Sequence, residues 1–167
     1  MAKQEYPLKQ ILEIKKKRVE VAEKVVTEKR QALEVEQDKL KKAEEARDKV
    51  KQHQMAKLTQ LRNELDHGTT SPKVQQMKAY LKVVDEKLKL EEKKVKDQQA
   101  RVEVAEKDLE EAKQQLFLRR QEVDKVETHQ IDWKKERRKE QDILDEREMD
   151  ELGNLTYGAR RKKMESL

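Results

Sequence analysis

An apolar residue recurs every seven positions, eight successive times, through the second half of the sequence. This line is Val74, Leu81, Leu88, Val95, Val102, Leu109, Leu116 and Val123. A second line, three residues further along, holds Met77, Val84, Ala105, Ala112, Val126 and Trp133, with polar residues at Glu91, Gln98 and Arg119. A sustained seven-residue period is typical of a helix that supercoils around a partner helix. The sequence therefore predicts a coiled coil.

The composition favours helices over a globular interior. Charged residues make up 46% of the 167 residues and hydrophobic residues only 34%, against roughly 25% and 45–50% in typical soluble domains. Such a chain has too few apolar side chains for a large compact core. We therefore expect an all-α fold.

Residues that break helices are few, and they divide the chain into two long segments. Proline occurs only at Pro7 and Pro72, and glycine only at Gly68, Gly153 and Gly158. The organisation that we predict is a single coiled-coil rod over 1–167, with a first helix over about 7–66, a loop over 67–71, a second helix over about 72–151 and a flexible tail over 152–167.

The residues of the predicted loop suit a tight reversal of the chain. Gly68 can end the first helix in a left-handed conformation, Ser71 can cap the second helix, and Pro72 fits its first turn. A loop this short joins antiparallel neighbours. The fold that we predict is therefore a long two-helix antiparallel coiled-coil hairpin, in which the second helix extends past the first.

The first helix carries a matching apolar pattern. We call the apolar lines of the two helices together the seam. Its seam residues are Leu12, Val19, Val26, Leu33 and Leu40, backed by Ala22, Ala43 and Val50. We expect the register to drift near Arg47 and Gln54, and to resume at Leu58, Leu61 and Leu65. If the turn centres near Thr69, the numbers of facing residues add to about 138. The facing pairs would be Leu12 with Val126, Val26 with Ala112, and Leu33 with Ala105.

The first helix holds more apolar residues than one seam can bury. A second stripe on a neighbouring face consists of Ile11, Ile14, Val21, Val25, Ala32 and Val35. Burying such side chains yields roughly 1.5–3 kcal/mol each, so a stripe left in water favours association. We interpret it as a docking stripe for another protein. The alternatives are that the tail residues 152–157 fold back over it, or that two copies of the chain associate there.

Basic residues gather at the end where both chain termini are expected to lie, which favours an acidic protein surface as the partner. The predicted partner-binding residues of this end are Lys15, Lys16, Lys17, Arg18, Trp133, Lys134, Lys135, Arg137, Arg138 and Lys139. Over the whole chain, 41 positive and 36 negative side chains are interleaved. With five aromatic residues and no zinc-finger or RNA-recognition signature, a nucleic-acid-binding protein is the less favoured alternative.

The sequence does not predict an enzyme. There is no cysteine, and the three histidines, His53, His67 and His129, are too far apart for a ligand cluster and are expected to be solvated. We predict no catalytic residue, metal site or cofactor. The sequence also lacks a secretory signal and any run of about 18 apolar residues, so we expect a soluble, cytoplasmic protein without direct membrane insertion.

Two terminal motifs suggest a family. The segment from Tyr6 to Val19, YPLKQILEIKKKRV, the following Ala22-Glu23-Lys24, and the closing DELGNL from Asp150 to Leu155 resemble the YscO/FliJ family of type III secretion, in particular its YscO-type members of the chlamydial kind.

The resemblance implies a non-enzymatic central-stalk protein similar in form to the stalk of rotary ATPases. Such a protein would be inserted into the hexameric secretion ATPase and would link it to the export-gate membrane protein, at the cytoplasmic face of the secretion apparatus. Family members are also described as escorts of secretion chaperones. The basic end is where such a stalk would enter the ring. A generic cytoplasmic coiled-coil adaptor without an ATPase remains the principal alternative.

Overall fold

The computed structural model describes residues 4–166, most of which lie in two long helices. Helix α1 spans Lys9–His67 and helix α2 spans Ser71–Glu165. The described residues contain no strand, so the all-α prediction is confirmed. The chain divides into two compact units, called unit 1 (Met1–Glu20 with Phe117–Leu167) and unit 2 (Val21–Leu116). In each unit a stretch of α1 packs antiparallel against a stretch of α2. That 1–167 act as one domain remains a prediction.

The turn between the helices is shorter than predicted, because only Gly68, Thr69 and Thr70 lie outside them. Gly68 has a φ of 78°, in the left-handed region that favours glycine, and its N–H donates to the Leu65 carbonyl at 3.4 Å. The Thr70 carbonyl accepts from the Val74 N–H at 3.2 Å. Thr70 therefore takes the cap position that we predicted for Ser71, while Pro72 lies in the first turn as expected.

The predicted seam is the buried face of both helices in unit 2. Val84 and Val95 are each 4% exposed, and the other seam residues of α2 from Val74 to Leu116, polar ones included, are buried or half-buried. Val26 forms a buried cluster with Leu109 and Ala112, which confirms that Val26 faces Ala112. Two apolar side chains per seven residues thus carry the packing of this unit.

The expected drift of the register at Arg47 and Gln54 is wrong. Both residues are half-buried, and they lie seven and fourteen positions after Leu40, so the same period continues to Leu61. Polar side chains occupy the seam here, and Gln54 Nε2 donates to Asp85 Oδ1 at 3.3 Å. Polar residues can therefore occupy positions of the seven-residue period when a hydrogen-bond partner lies on the facing helix.

Leu65 is the one predicted seam residue of α1 that the structure places in solvent, with 51% exposure. The seam position is that of Glu64, three residues after Leu61, and Glu64 is half-buried. Its carboxylate lies 3.0 Å from Lys73 Nζ. Close to the turn, the next seam position therefore falls on Glu64. Its ion pair with Lys73 of the facing helix compensates the charge of the half-buried carboxylate.

A polar layer interrupts the apolar seam at Gln98, which is buried. Its amide donates to the backbone carbonyl of Glu36 at 3.0 Å and also to the Glu36 carboxylate. The Gln98 hydrogen bond holds the pKa of Glu36 below its usual value; desolvation opposes this effect and Lys39 adds to it. A buried amide that loses its partner is costly, so this layer favours one register over slipped ones.

The predicted end of the second helix near Glu151 is wrong, because α2 continues to Glu165 through Gly153 and Gly158. One glycine costs a helix only about 1 kcal/mol relative to alanine, and neither glycine has a positive φ. All side chains from Lys134 to Ser166 are exposed. The alternative in which residues 152–157 cover the docking stripe is therefore also wrong.

The adjacent valines Val83 and Val84 test whether the seam stabilises the fold. Val84→Ala removes two methyl groups from a site that is 4% exposed, whereas Val83→Ala removes them from one that is 61% exposed. We expect Val84→Ala to lower the free energy of unfolding by about 1–2.5 kcal/mol and Val83→Ala by less than about 0.5 kcal/mol. Urea unfolding followed by circular dichroism measures both. Equal losses would contradict the seam assignment.

The Glu36–Gln98 layer gives a pH-dependent contribution to stability. Because the folded-state pKa of Glu36 lies below its usual value, its contribution is fully present above the unfolded-state pKa, about 4.3 for glutamate, and disappears as the pH falls through the folded-state pKa. Glu36→Gln should therefore destabilise the protein at pH 7, and the difference from the unmodified chain should shrink below about pH 4. Melting temperatures across this range measure it. Glu34→Gln, at an exposed site, is the control, and a difference that stays constant with pH contradicts the assignment.

Candidate partner-binding surfaces

In unit 1, Tyr6, which precedes α1, packs against α2. It is only 6% exposed, and its ring lies edge-on to the Trp133 ring, with centroids 5.4 Å apart. The Tyr6 hydroxyl and His129 Nδ1 share a hydrogen bond of 2.5 Å, and the Tyr6 carbonyl accepts from the Lys9 N–H at 3.1 Å. Sequence reasoning used Tyr6 only as part of a motif. The available signal was a tyrosine with an apolar ring and a polar tip directly before a helix.

Two of the predicted basic partner-binding residues form ion pairs between α1 and α2 within unit 1. Lys15 Nζ lies 3.6 Å from Glu122, and Lys16 Nζ lies 3.6 Å from Glu127. Desolvation works to raise the pKa of Glu122, but the positive charges of Lys15 and Arg119 outweigh it and hold that pKa below its usual value. Lys15 and Lys16 thus join α1 to α2.

The basic residues that follow Trp133 on α2 are exposed. We call Lys134, Lys135, Arg137, Arg138 and Lys139 the basic segment. Arg137 pairs with Glu140 at 3.3 Å, and its guanidinium lies 5.4 Å from the centroid of the half-buried Trp133 ring. The other four are exposed, as are Lys17 and Arg18 on α1. The structure therefore leaves most of the predicted basic end accessible to a partner.

The docking stripe is exposed in both units. In unit 1, Ile11 and Ile14 are 43% and 51% exposed. In unit 2, the exposed stripe residues are Val21, Val25, Ala32 and Val35. That a partner binds them remains a prediction.

Unit 2 also exposes apolar residues of α2 that lie outside the seam. Val83, Leu90 and Val104 are all exposed. Val104 lines a shallow concavity with Ala32 of α1 and Ala100 of α2. The apolar surface of unit 2 therefore includes both helices.

The three histidines are exposed, as predicted, but each ring has a hydrogen-bond partner. His53 Nε2 and the Tyr80 hydroxyl lie 2.7 Å apart, and His67 Nδ1 donates to the Asn63 carbonyl at 2.7 Å. Residues 4–166 contain no cluster of three or more side chains that could hold a metal ion. Neither helix, over the residues described, has a stretch long and apolar enough to cross a membrane.

Comparison with known proteins identifies relatives over nearly the whole chain. A family model described as YscO-like protein matches residues 3–163. The solved structure of the YscO homolog CT670 from Chlamydia trachomatis is 48% identical, covers 96% of this chain and 99% of its own, and superimposes with a TM-score of 0.91. A structure of the Chlamydia pneumoniae CdsV and CdsO protein complex has a matching chain that is 54% identical, with a TM-score of 0.48, over 50% of this chain and 98% of that one. No curated protein matches the chain.

Because Trp133 is the only tryptophan, its fluorescence reports on the Tyr6 contact. Tyr6→Ala should expose the indole and shift its emission maximum to the red by several nanometres, since the ring loses its apolar neighbour. Tyr6→Phe keeps the ring contact and should shift the maximum far less. Tyr80→Ala, in unit 2, is the control. An unchanged spectrum for Tyr6→Ala would show that Tyr6 does not cover Trp133.

Proposed function

This chain belongs to the YscO-like family, and from that premise we propose that it is the non-enzymatic stalk component of a type III protein secretion apparatus. In this role it binds the hexameric secretion ATPase through unit 1 and couples the ATPase to the membrane export gate. The observation that carries the proposal is the exposed basic segment of α2, which continues beyond Trp133.

The charge of the basic segment supports an acidic partner. Five of the six residues from Lys134 to Lys139 are basic, and only Glu136 is acidic. Such a local excess attracts an acidic surface and accelerates its association, although the net charge of the whole chain is only +5. An acidic lining of the ATPase ring is the surface that this segment would recognise.

Apolar residues in the same unit support a specific contact as well as an electrostatic one. Ile11 and Ile14 are about half exposed, and Lys17 and Arg18 follow them on α1. An interface needs desolvated apolar side chains at its centre and charged residues around them. Unit 1 offers both kinds of residue.

A single stalk in a ring of six subunits breaks the symmetry of that ring. The stalk contacts some subunit interfaces more closely than others, so it favours the nucleotide state of those interfaces by differential binding. Coupling to the export gate, and any escort of secretion chaperones, needs a second contact on the same chain. Unit 2 has exposed apolar side chains for such a contact. This mechanism requires no catalytic residue in the stalk.

Neutralising the basic segment tests the ATPase contact. With Lys134, Lys135, Arg137, Arg138 and Lys139 replaced by glutamine, we expect the Kd for the secretion ATPase to rise at least about tenfold, which corresponds to about 1.4 kcal/mol. Binding of the unmodified chain should weaken as salt increases, since salt screens surface charges. Biolayer interferometry measures both effects.

The matched control removes the same charge from unit 2, by glutamine at the exposed residues Lys41, Lys51, Lys82, Lys93 and Lys96. This variant should bind the ATPase as the unmodified chain does. If both variants lose affinity equally, the contact is a general effect of charge, and the assignment to the basic segment is wrong.

A further inference from the structure

The exposed large apolar side chains of unit 2 concentrate on one side of the helix pair. Among residues 21–116 nine such side chains are exposed, and seven of them directly precede a seam residue. The seven are Val21, Val25, Val35, Tyr80, Val83, Leu90 and Val104. Met55 and Leu65 are the two on other faces. Exposed apolar residues that recur at equivalent helix positions differ from exposed residues that are scattered singly over a surface.

The residues that precede the seam on α1 and on α2 line the same side of unit 2. Two antiparallel helices are related by a twofold axis between them, so equivalent positions point to the same side. Ala32 of α1 and Arg101, Val104 and Asp108 of α2, all at such positions, line one shallow concavity. His53 and Tyr80, also at such positions, are hydrogen-bonded. We call this side of unit 2 the apolar groove.

Positively charged side chains also line the middle of the apolar groove. Between Val35 and His53 on α1, and between Val83 and Arg101 on α2, twelve residues precede a seam residue, and six are basic while only Asp97 is acidic. The six are Lys39, Lys42, Lys49, Lys87, Lys94 and Arg101. Lys39 and Lys94 lie near the half-buried carboxylates of Glu36 and Glu91. All six are exposed.

We propose that the apolar groove binds an amphipathic helix of another protein, one whose apolar stripe is bordered by aspartate and glutamate. A third helix fits the furrow between two packed helices, and its acidic border would meet the six basic side chains. A second copy of this chain would instead place the same basic residues against each other, which is unfavourable. The proposal uses only residues of unit 2, so it does not rest on the ATPase contact of unit 1.

The test uses the full-length chain and two synthetic helical peptides that share one leucine stripe, bordered by glutamate in one peptide and by lysine in the other. Fluorescence anisotropy should show the glutamate peptide binding at least about tenfold more tightly than the lysine peptide. Leu90→Ser should weaken the glutamate peptide about tenfold. Leu65→Ser, at a leucine of similar exposure outside the groove, should change it less than about twofold. Circular dichroism checks that both variants remain helical.

A charge exchange completes the test. Replacing Lys42, Lys49 and Lys87 with glutamate should reverse the preference, so that the lysine peptide binds more tightly. Equal binding of the two peptides, or no binding of either at about 1 mM, would overturn the proposal. It would also be overturned if sedimentation showed self-association that Leu90→Ser abolishes, because the groove would then belong to a second copy.

Discussion

The packing of α1 against α2 depends on a narrow seam, in which the paired stretches each bury or half-bury two residues in every seven. Two helices cannot enclose an interior: the most buried side chains, those of Val84 and Val95, are still 4% exposed, and no described side chain falls below 2%. Stability must therefore come from many small contributions repeated along the pair. The same geometry leaves five positions in seven free, so most of the sequence is available for contacts with other molecules.

A uniform apolar seam would permit several registers, because each slip of seven residues pairs valine and leucine with valine and leucine again. The polar residues in the seam remove this degeneracy. Gln98 with Glu36, and Gln54 with Asp85, satisfy each other in one register only. Such polar pairs bury less apolar surface than valine or leucine would at the same positions, but they favour a single alignment of the two helices. The alignment matters for function because it determines which side chains of α1 and α2 lie together on the groove side.

The period of the sequence was sufficient to predict the two helices, the reversal at Gly68 and the pairing of Val26 with Ala112, because burial of apolar side chains dominates those features. It was not sufficient where polar residues take seam positions. Arg47 and Gln54 looked like a drift, and Leu65 looked like a seam residue where the helix in fact presents Glu64. The residues after 151 were expected to be a flexible tail because the cost of two glycines was overestimated.

The candidate surfaces were predictable only in part. The exposed stripe of α1 followed from an excess of apolar residues over one seam. The packing of Tyr6 on Trp133 did not, since it joins residues more than 120 positions apart and has no period. The ion pairs of Lys15 and Lys16 depend in the same way on the facing residues Glu122 and Glu127. The contribution of Val104 and Leu90 to the groove becomes evident only when the two helices are placed side by side.

The central functional claim is that one copy of this chain serves a whole ATPase ring, and stoichiometry tests it most directly. Native mass spectrometry of the chain mixed with the hexameric secretion ATPase and nucleotide should give a complex of one chain with six ATPase subunits, even with the chain in excess. A complex with one chain on every subunit, or an ATPase hexamer that never acquires the chain, would contradict the account.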